Sequence, residues 1–132
     1  MTANQNPIFP LAPVIGANSV GTANTNRDGT GTIATILTAG SNGTAIEEIV
    51  VKADGNPADS TIVFYLYDGS AYHVYDEWDI GDPAAGSATV ASYRESRLTP
   101  NLKLPSGWSL RASITVAPTA GLVQVIALGG DY

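Results

Sequence analysis

Short runs of β-branched and aromatic residues alternate with clusters of glycine, proline, asparagine and aspartate from residue 18 to the end of the chain. Such runs are typical of strands, and the clusters between them are typical of turns. The runs recur at roughly the spacing of strands in a β-sandwich, and we count about eight of them and no helix. We therefore expect residues 18–132 to form one all-β domain, a jelly-roll-like sandwich, although one sequence does not separate that strand order from an immunoglobulin-like one.

Residues 1–17 are predicted to form an extended, proline-rich arm. Pro7, Pro10 and Pro13 exclude a helix and a central strand, because proline fixes φ and lacks a backbone donor. The residues between and after the prolines are too apolar for an arm left in water: Ile8, Phe9, Leu11, Val14 and Ile15. Two alternatives stay open, an arm that folds back over its own domain and an arm that lies on a neighbouring subunit.

The segment from residue 61 to residue 78 is predicted to be a β-hairpin. Asp68 and Gly69 form a favoured two-residue turn, which would place Tyr65 opposite Tyr72. Alternation then puts an aliphatic face toward the core and leaves a tyrosine face, defined as Tyr65, Tyr67, Tyr72 and Trp78, on the outside. A Tyr/Trp patch of this kind indicates a protein contact. The alternative is that the arm or a loop of the same chain covers it.

A strand of residues near 44–53 departs from strict alternation. Ile46, Ile49 and Val51 cannot all lie on one face of a regular strand. One extra residue near Glu47 and Glu48 would restore the alternation, so we predict a β-bulge there.

Asn24, Asn26 and Asp28 lie two residues apart before Gly29, as the first ligands of an EF-hand calcium loop do. An EF-hand also needs a glutamate at its twelfth position, where this chain has Thr35, and it needs flanking helices. The same residue types favour turns because they hydrogen-bond their own backbone. We therefore favour a turn and keep the three residues as weak metal candidates.

Catalytic chemistry is not indicated by the remaining polar residues. His73 is the only histidine, and no nucleophile-elbow pattern is present. Four acidic residues surround Trp78 in an arrangement typical of a solvated strand end: Asp76, Glu77, Asp79 and Asp82. We predict that the protein is not an enzyme and needs no cofactor. A carbohydrate-binding or adhesion module that uses Trp78 and Trp108 is the alternative function.

Charge and hydropathy exclude further classes. The formal net charge of −6 disfavours binding to nucleic acid. Nowhere do about eighteen apolar residues run together, so no membrane span is expected. The N-terminal residues lack the basic and apolar regions of a signal peptide. We expect the protein to stay where it is made or to join an assembly there.

Three blocks of the sequence resemble a group of small virion-associated proteins of tailed bacteriophages and prophages. They are "TAN…DGTGT…TAGSNG" at Thr22–Gly43, "LKLPSGWSL" at Leu102–Leu110 and the final "GGDY". The resemblance implies a capsid decoration or cement protein on the shell exterior, made in the host cytoplasm and bound to the major capsid protein. It implies no catalytic residues. We expect a homo-oligomer, with a trimer favoured by threefold positions on shells, and keep a tail or fibre component as an alternative.

Overall fold

A computed structural model describes residues 9–81 and 85–132, so Ile8 and Asp82 lie outside the described residues. The described chain is all-β, as predicted, and none of its segments is a helix that could span a membrane. It contains eight strands: β1 Ala12–Val20, β2 Ala34–Thr38, β3 Thr44–Ala53, β4 Ser60–Tyr67, β5 Tyr72–Ile80, β6 Arg94–Leu104, β7 Ser109–Ile114 and β8 Val123–Asp131.

The strands form two four-stranded antiparallel sheets, in the orders β1-β8-β3-β6 and β2-β7-β4-β5. Strand β1 pairs with β8, β2 with β7, β3 with β6 and β4 with β5. The chain is thus one long antiparallel ribbon, folded at its middle between β4 and β5 and then rolled into two layers. This is the jelly-roll arrangement, and it confirms that prediction.

The hydrophobic core lies between the two sheets. The inward side chains of the four central strands are almost completely buried, among them Ile49, Val51, Ile62, Phe64, Leu110 and Val125. Burial of each such side chain stabilises the fold by about 1.5–3 kcal/mol before conformational entropy is subtracted. Two rigid sheet faces result, and the outward side chains on them are the places where a partner could bind.

Strand β1 is an edge strand of the first sheet. A proline has no backbone N–H to donate to a neighbouring strand, so Pro13 is tolerated at the edge of a sheet but would not be in a central strand. The boundary drawn at residue 17 falls inside this strand. Pairing to β8 extends one residue beyond β1, where the Leu11 amide donates to the Asp131 carbonyl at 2.7 Å. Part of the predicted arm is therefore built into the sandwich.

The β-bulge predicted near Glu47 and Glu48 is confirmed. Ile46 lies opposite Gly129 of β8, whereas Glu48 lies opposite Leu128, so Glu47 is the extra residue in β3. The bulge lets Ile46, Ile49 and Val51 all point into the core.

Candidate functional site

The loop of residues 21–33, which contains the three weak metal candidates, is organised by hydrogen bonds from its own side chains. The Asn24 amide is buried and donates to the carbonyls of Thr30 and Thr32 at 2.9 and 3.0 Å, while its oxygen accepts from the Asn26 amide at 3.0 Å. Asp28 Oδ1 accepts from the Thr30 hydroxyl and amide, and these bonds lower the pKa of Asp28. The oxygens of Asn24 and Asp28 thus build turns. Within the described ranges, no group of three or more acidic, histidine or cysteine residues could hold a metal ion.

This loop, hereafter the covering loop, lies on the outer face of the second sheet. The Tyr65 hydroxyl donates to the Asn26 carbonyl at 3.0 Å, and Arg27 forms an ion pair with Glu77 of β5. Gly29 lies so close to Tyr72 that a Cβ atom would be 2.6 Å from the ring. Tyr65 consequently has 0% of its surface exposed. Of the two alternatives for the tyrosine face, cover by a loop of the same chain is what the structure shows for Tyr65.

Tyr67 and Tyr72, the partly exposed members of the tyrosine face, form a small cluster around Arg111. The Arg111 guanidinium lies 4.1 Å from the centroid of the Tyr67 ring and donates to the Tyr72 hydroxyl at 2.8 Å. The two tyrosine rings are 4.5 Å apart. Tyr67 and Tyr72 are half-buried, and the neighbouring Val74 is exposed. The centre of this cluster is charged, because the Arg111 guanidinium covers tyrosine ring surface that a partner would otherwise contact.

Trp78 does not belong to the tyrosine face, and this placement corrects the sequence prediction. Tyr65 lies opposite Val74, but Phe64 lies opposite Asp76, so Tyr75 is an extra residue in β5. The bulge moves every later residue of β5 to the other face. Trp78 is only 1% exposed, with its ring centroid 4.8 Å from that of Phe64.

The turn of the hairpin is also longer than predicted. Tyr67 lies opposite Tyr72, and Leu66 lies opposite His73, so four residues and not two connect the strands. Asp68 causes the difference, because its carboxylate accepts from the amides of Ser70 and Ala71 at 2.8 and 2.7 Å. Three contacts lower the pKa of Asp68 to about 2: the hydrogen bond from the Ala71 amide, the His73 ring nitrogen at 3.0 Å and the hydrogen bond from the Ser70 amide.

Asp76 and Glu77, which precede Trp78 in β5, bond to other groups of the same chain. Asp76 accepts from the Glu77 amide and from the Trp78 indole nitrogen, both at 2.8 Å, and Glu77 pairs with Arg27. The Arg97 guanidinium covers the indole ring at 4.5 Å. A sugar therefore has no exposed Trp78 ring on which to stack. Trp108, the other indole of the carbohydrate alternative, is half-buried and stacks on His73.

The arm carries three large, strongly exposed apolar side chains, and one of them, Leu11, is the most exposed large apolar residue in the described part of the chain. Phe9 and Leu11 are 69% and 87% exposed, while Val14 is half-buried against the core. Pro10 packs directly on Gly130, where a Cβ atom would lie 2.5 Å from it. The backbone of residues 10 and 11 is thus fixed to β8 while the flanking side chains point into solvent. Ile15, in β1, is 70% exposed on the outer face of the first sheet.

Neither a protein-family model nor a curated protein matches the chain. Among solved structures, a chain described as "Cyanophage Pam1 capsid asymmetric unit" is similar over 100% of this chain and 93% of that chain, with a TM-score of 0.48 and 16% sequence identity.

Proposed function

We propose that the protein is a non-enzymatic structural component of a tailed-phage virion that binds the outer capsid surface and stabilises or decorates the shell. The observation that carries the proposal is the pair Phe9 and Leu11, two large apolar side chains held in solvent by a backbone that is fixed to the sandwich. Solvent exposure of this kind has a free-energy cost that a bound partner removes. The sequence resemblance to decoration proteins supplies the class of partner, the major capsid protein.

Anchoring through the arm is physically sufficient for such binding. Burial of Phe9 and Leu11 would contribute about 1.5–3 kcal/mol each before ordering costs are subtracted. Because the backbone of Pro10 and Leu11 is already ordered on β8, less conformational entropy is lost on binding than for a free peptide. Tyr67 and Tyr72 offer a second, smaller contact beside Arg111.

The test is co-sedimentation with source-phage particles that have been stripped of the protein. We expect saturable binding of the wild type and at least a tenfold loss of affinity for the double variant Phe9→Asp/Leu11→Asp, because two charges would then enter the apolar contact. Deletion of residues 1–15 is a poorer test, because it would remove Ala12 to Ile15 of β1 and with them the core contact of Val14.

The matched control is Val90→Asp/Val116→Asp, which introduces the same two charges at apolar residues that are 47% and 44% exposed elsewhere on the surface. This control should bind as the wild type does. Equal binding by all three proteins would show that Phe9 and Leu11 do not contact the shell. Failure of the wild type to pellet with particles would contradict the capsid role and favour a tail or fibre location.

A further inference from the structure

The outer face of the sheet β1-β8-β3-β6 carries an apolar surface that the core does not use. Ile15 lies opposite Leu128, Leu128 opposite Glu48, and Glu48 opposite Leu98. Residues directly opposite one another in adjacent strands point to the same side of a sheet. These four residues therefore form one row across the sheet, hereafter the first row. Ile15 and Leu98, at its two ends, are 70% and 76% exposed.

Two further rows continue this face along the strands. The middle row consists of Ala17, Ile126, Val50 and Ser96, and the third row consists of Ser19, Gln124, Lys52 and Arg94. The middle row is mostly apolar, while each outer row carries charge. Glu48 and Lys52, of opposite sign, thus flank Val50 symmetrically on β3, each two residues away.

We propose that a second copy of this chain covers this face, related to the first by a two-fold axis that runs along the middle row. A half turn about that axis exchanges the first and third rows. Glu48 of each copy then lies opposite Lys52 of the other, while Ala17 and Ile126 pack against their own counterparts at the centre, beside Val50, of which only 8% is exposed. A two-fold interface must be self-complementary, and the charge order along β3 meets that requirement.

The pairing also suits the other residues of the face. Leu98 of one copy lies over Arg94 of the other, where the aliphatic part of the arginine can cover the leucine. Glu48 forms no ion pair with any residue in the described part of the chain. Lys52 donates to the carbonyls of Ala53 and Ser92 at 2.6 and 3.3 Å, so its ammonium group is held at the end of the face.

The size of the face predicts a weak dimer. Four strands about 4.8 Å apart and three rows about 6.6 Å apart cover roughly 380 Å². Two copies would then bury about 760 Å² in total, less than the about 1,200 Å² of the smallest standard interfaces, so we expect the dimer to form only at high protein concentration. An apolar centre with a charged rim is also the usual composition of such interfaces. The dimer does not depend on the proposed capsid role, because it forms between free molecules.

Sedimentation equilibrium of the full chain over a range of concentrations tests the proposal. We expect the wild type to reach twice its chain mass of 13.6 kDa. Glu48→Lys places like charges opposite each other and should raise the dimer dissociation constant at least tenfold, as should Lys52→Glu. The double variant Glu48→Lys/Lys52→Glu exchanges the charges and should restore the constant to within about threefold of the wild type.

Asp59→Lys is the matched control, since it makes the same kind of charge change at an exposed residue off this face and should leave the dissociation constant unchanged. A wild type that stays monomeric at every concentration, or one that forms a trimer, would overturn the proposal. So would a dimer that Glu48→Lys does not weaken. If the wild type is monomeric and deletion of residues 1–8 speeds hydrogen exchange of the β8 amides, the chain's own N-terminal residues occupy the face instead.

Discussion

At the scale of single residues, Gly29 shows how one position fixes the covering loop on the sheet. Its φ of +86° lies in the region that L residues with a side chain rarely adopt. It also touches the ring of Tyr72, so any side chain would push the loop outward. The loop in turn supplies the Asn26 carbonyl that accepts from the buried Tyr65 hydroxyl. The cover over the tyrosine face therefore depends on the absence of a Cβ atom at this position.

We predict that Gly29→Ala destabilises the protein more than Gly107→Ala does. Gly107 has nearly the same φ, +87°, but no other atom lies within 4 Å of where its Cβ would be. Gly107→Ala should therefore cost only the backbone strain, about 1–2 kcal/mol. Gly29→Ala should cost about 1–3 kcal/mol more, because the added methyl group overlaps the tyrosine ring. Urea unfolding measures both free energies, and equal losses would show that the contact with Tyr72 does not hold the loop.

At the scale of elements, two bulges show what a sequence can and cannot reveal about strand register. The bulge at Glu47 leaves a visible trace, because Ile46, Ile49 and Val51 are all apolar and cannot otherwise share a face. The bulge at Tyr75 leaves no such trace, because Tyr72, Val74 and Trp78 are separated by even numbers of residue steps and would share one face of a regular strand. Only the pairing with β4, a contact between strands, turns Trp78 into the core. The sequence therefore assigns Trp78 to the tyrosine face, whereas the structure places it in the core.

We predict that the β4–β5 connection loses stability in acid through Asp68. Its folded-state pKa of about 2 lies below the ordinary value of 3.8, so the ionised carboxylate stabilises the folded protein fully above about pH 4. This contribution is lost as the pH falls from about 4 toward 2. Asp68→Asn keeps an oxygen that can accept from Ser70 and Ala71 but cannot titrate. The decline of the melting temperature between pH 5 and pH 2 should therefore be smaller in Asp68→Asn than in the wild type.

Asp59→Asn is the control for this pH experiment. Asp59 is exposed, and its carboxylate accepts none of the hydrogen bonds found among the described residues. The melting temperature of the Asp59→Asn variant should fall with pH as steeply as that of the wild type. If Asp68→Asn also follows the wild-type curve, the carboxylate of Asp68 does not stabilise the hairpin through its charge.

At the scale of the whole molecule, the sequence predicts the two-layered sandwich but does not predict which residues of the N-terminal arm are buried in it and which stay exposed. Turn residues and β-branched runs are local, so the strands and the sandwich could be predicted. The pairing of β1 with β8 joins the two ends of the chain, and no local pattern encodes it. That pairing draws Val14 toward the core and leaves Phe9, Leu11 and Ile15 outside. The predicted arm is thereby split into a structural part and an exposed part.

This division leads to a prediction about complete particles. If Phe9 and Leu11 bind the shell while the sandwich stays folded, each bound copy stabilises the intact shell by mass action. Particles that have been stripped and then saturated with wild-type protein should release their DNA at a higher temperature than stripped particles. Saturation with Val90→Asp/Val116→Asp should raise the release temperature equally, and Phe9→Asp/Leu11→Asp should not raise it. DNA-binding dye fluorescence during heating measures the release. Wild-type protein that pellets with the particles but leaves the release temperature unchanged would limit its role to decoration without stabilisation.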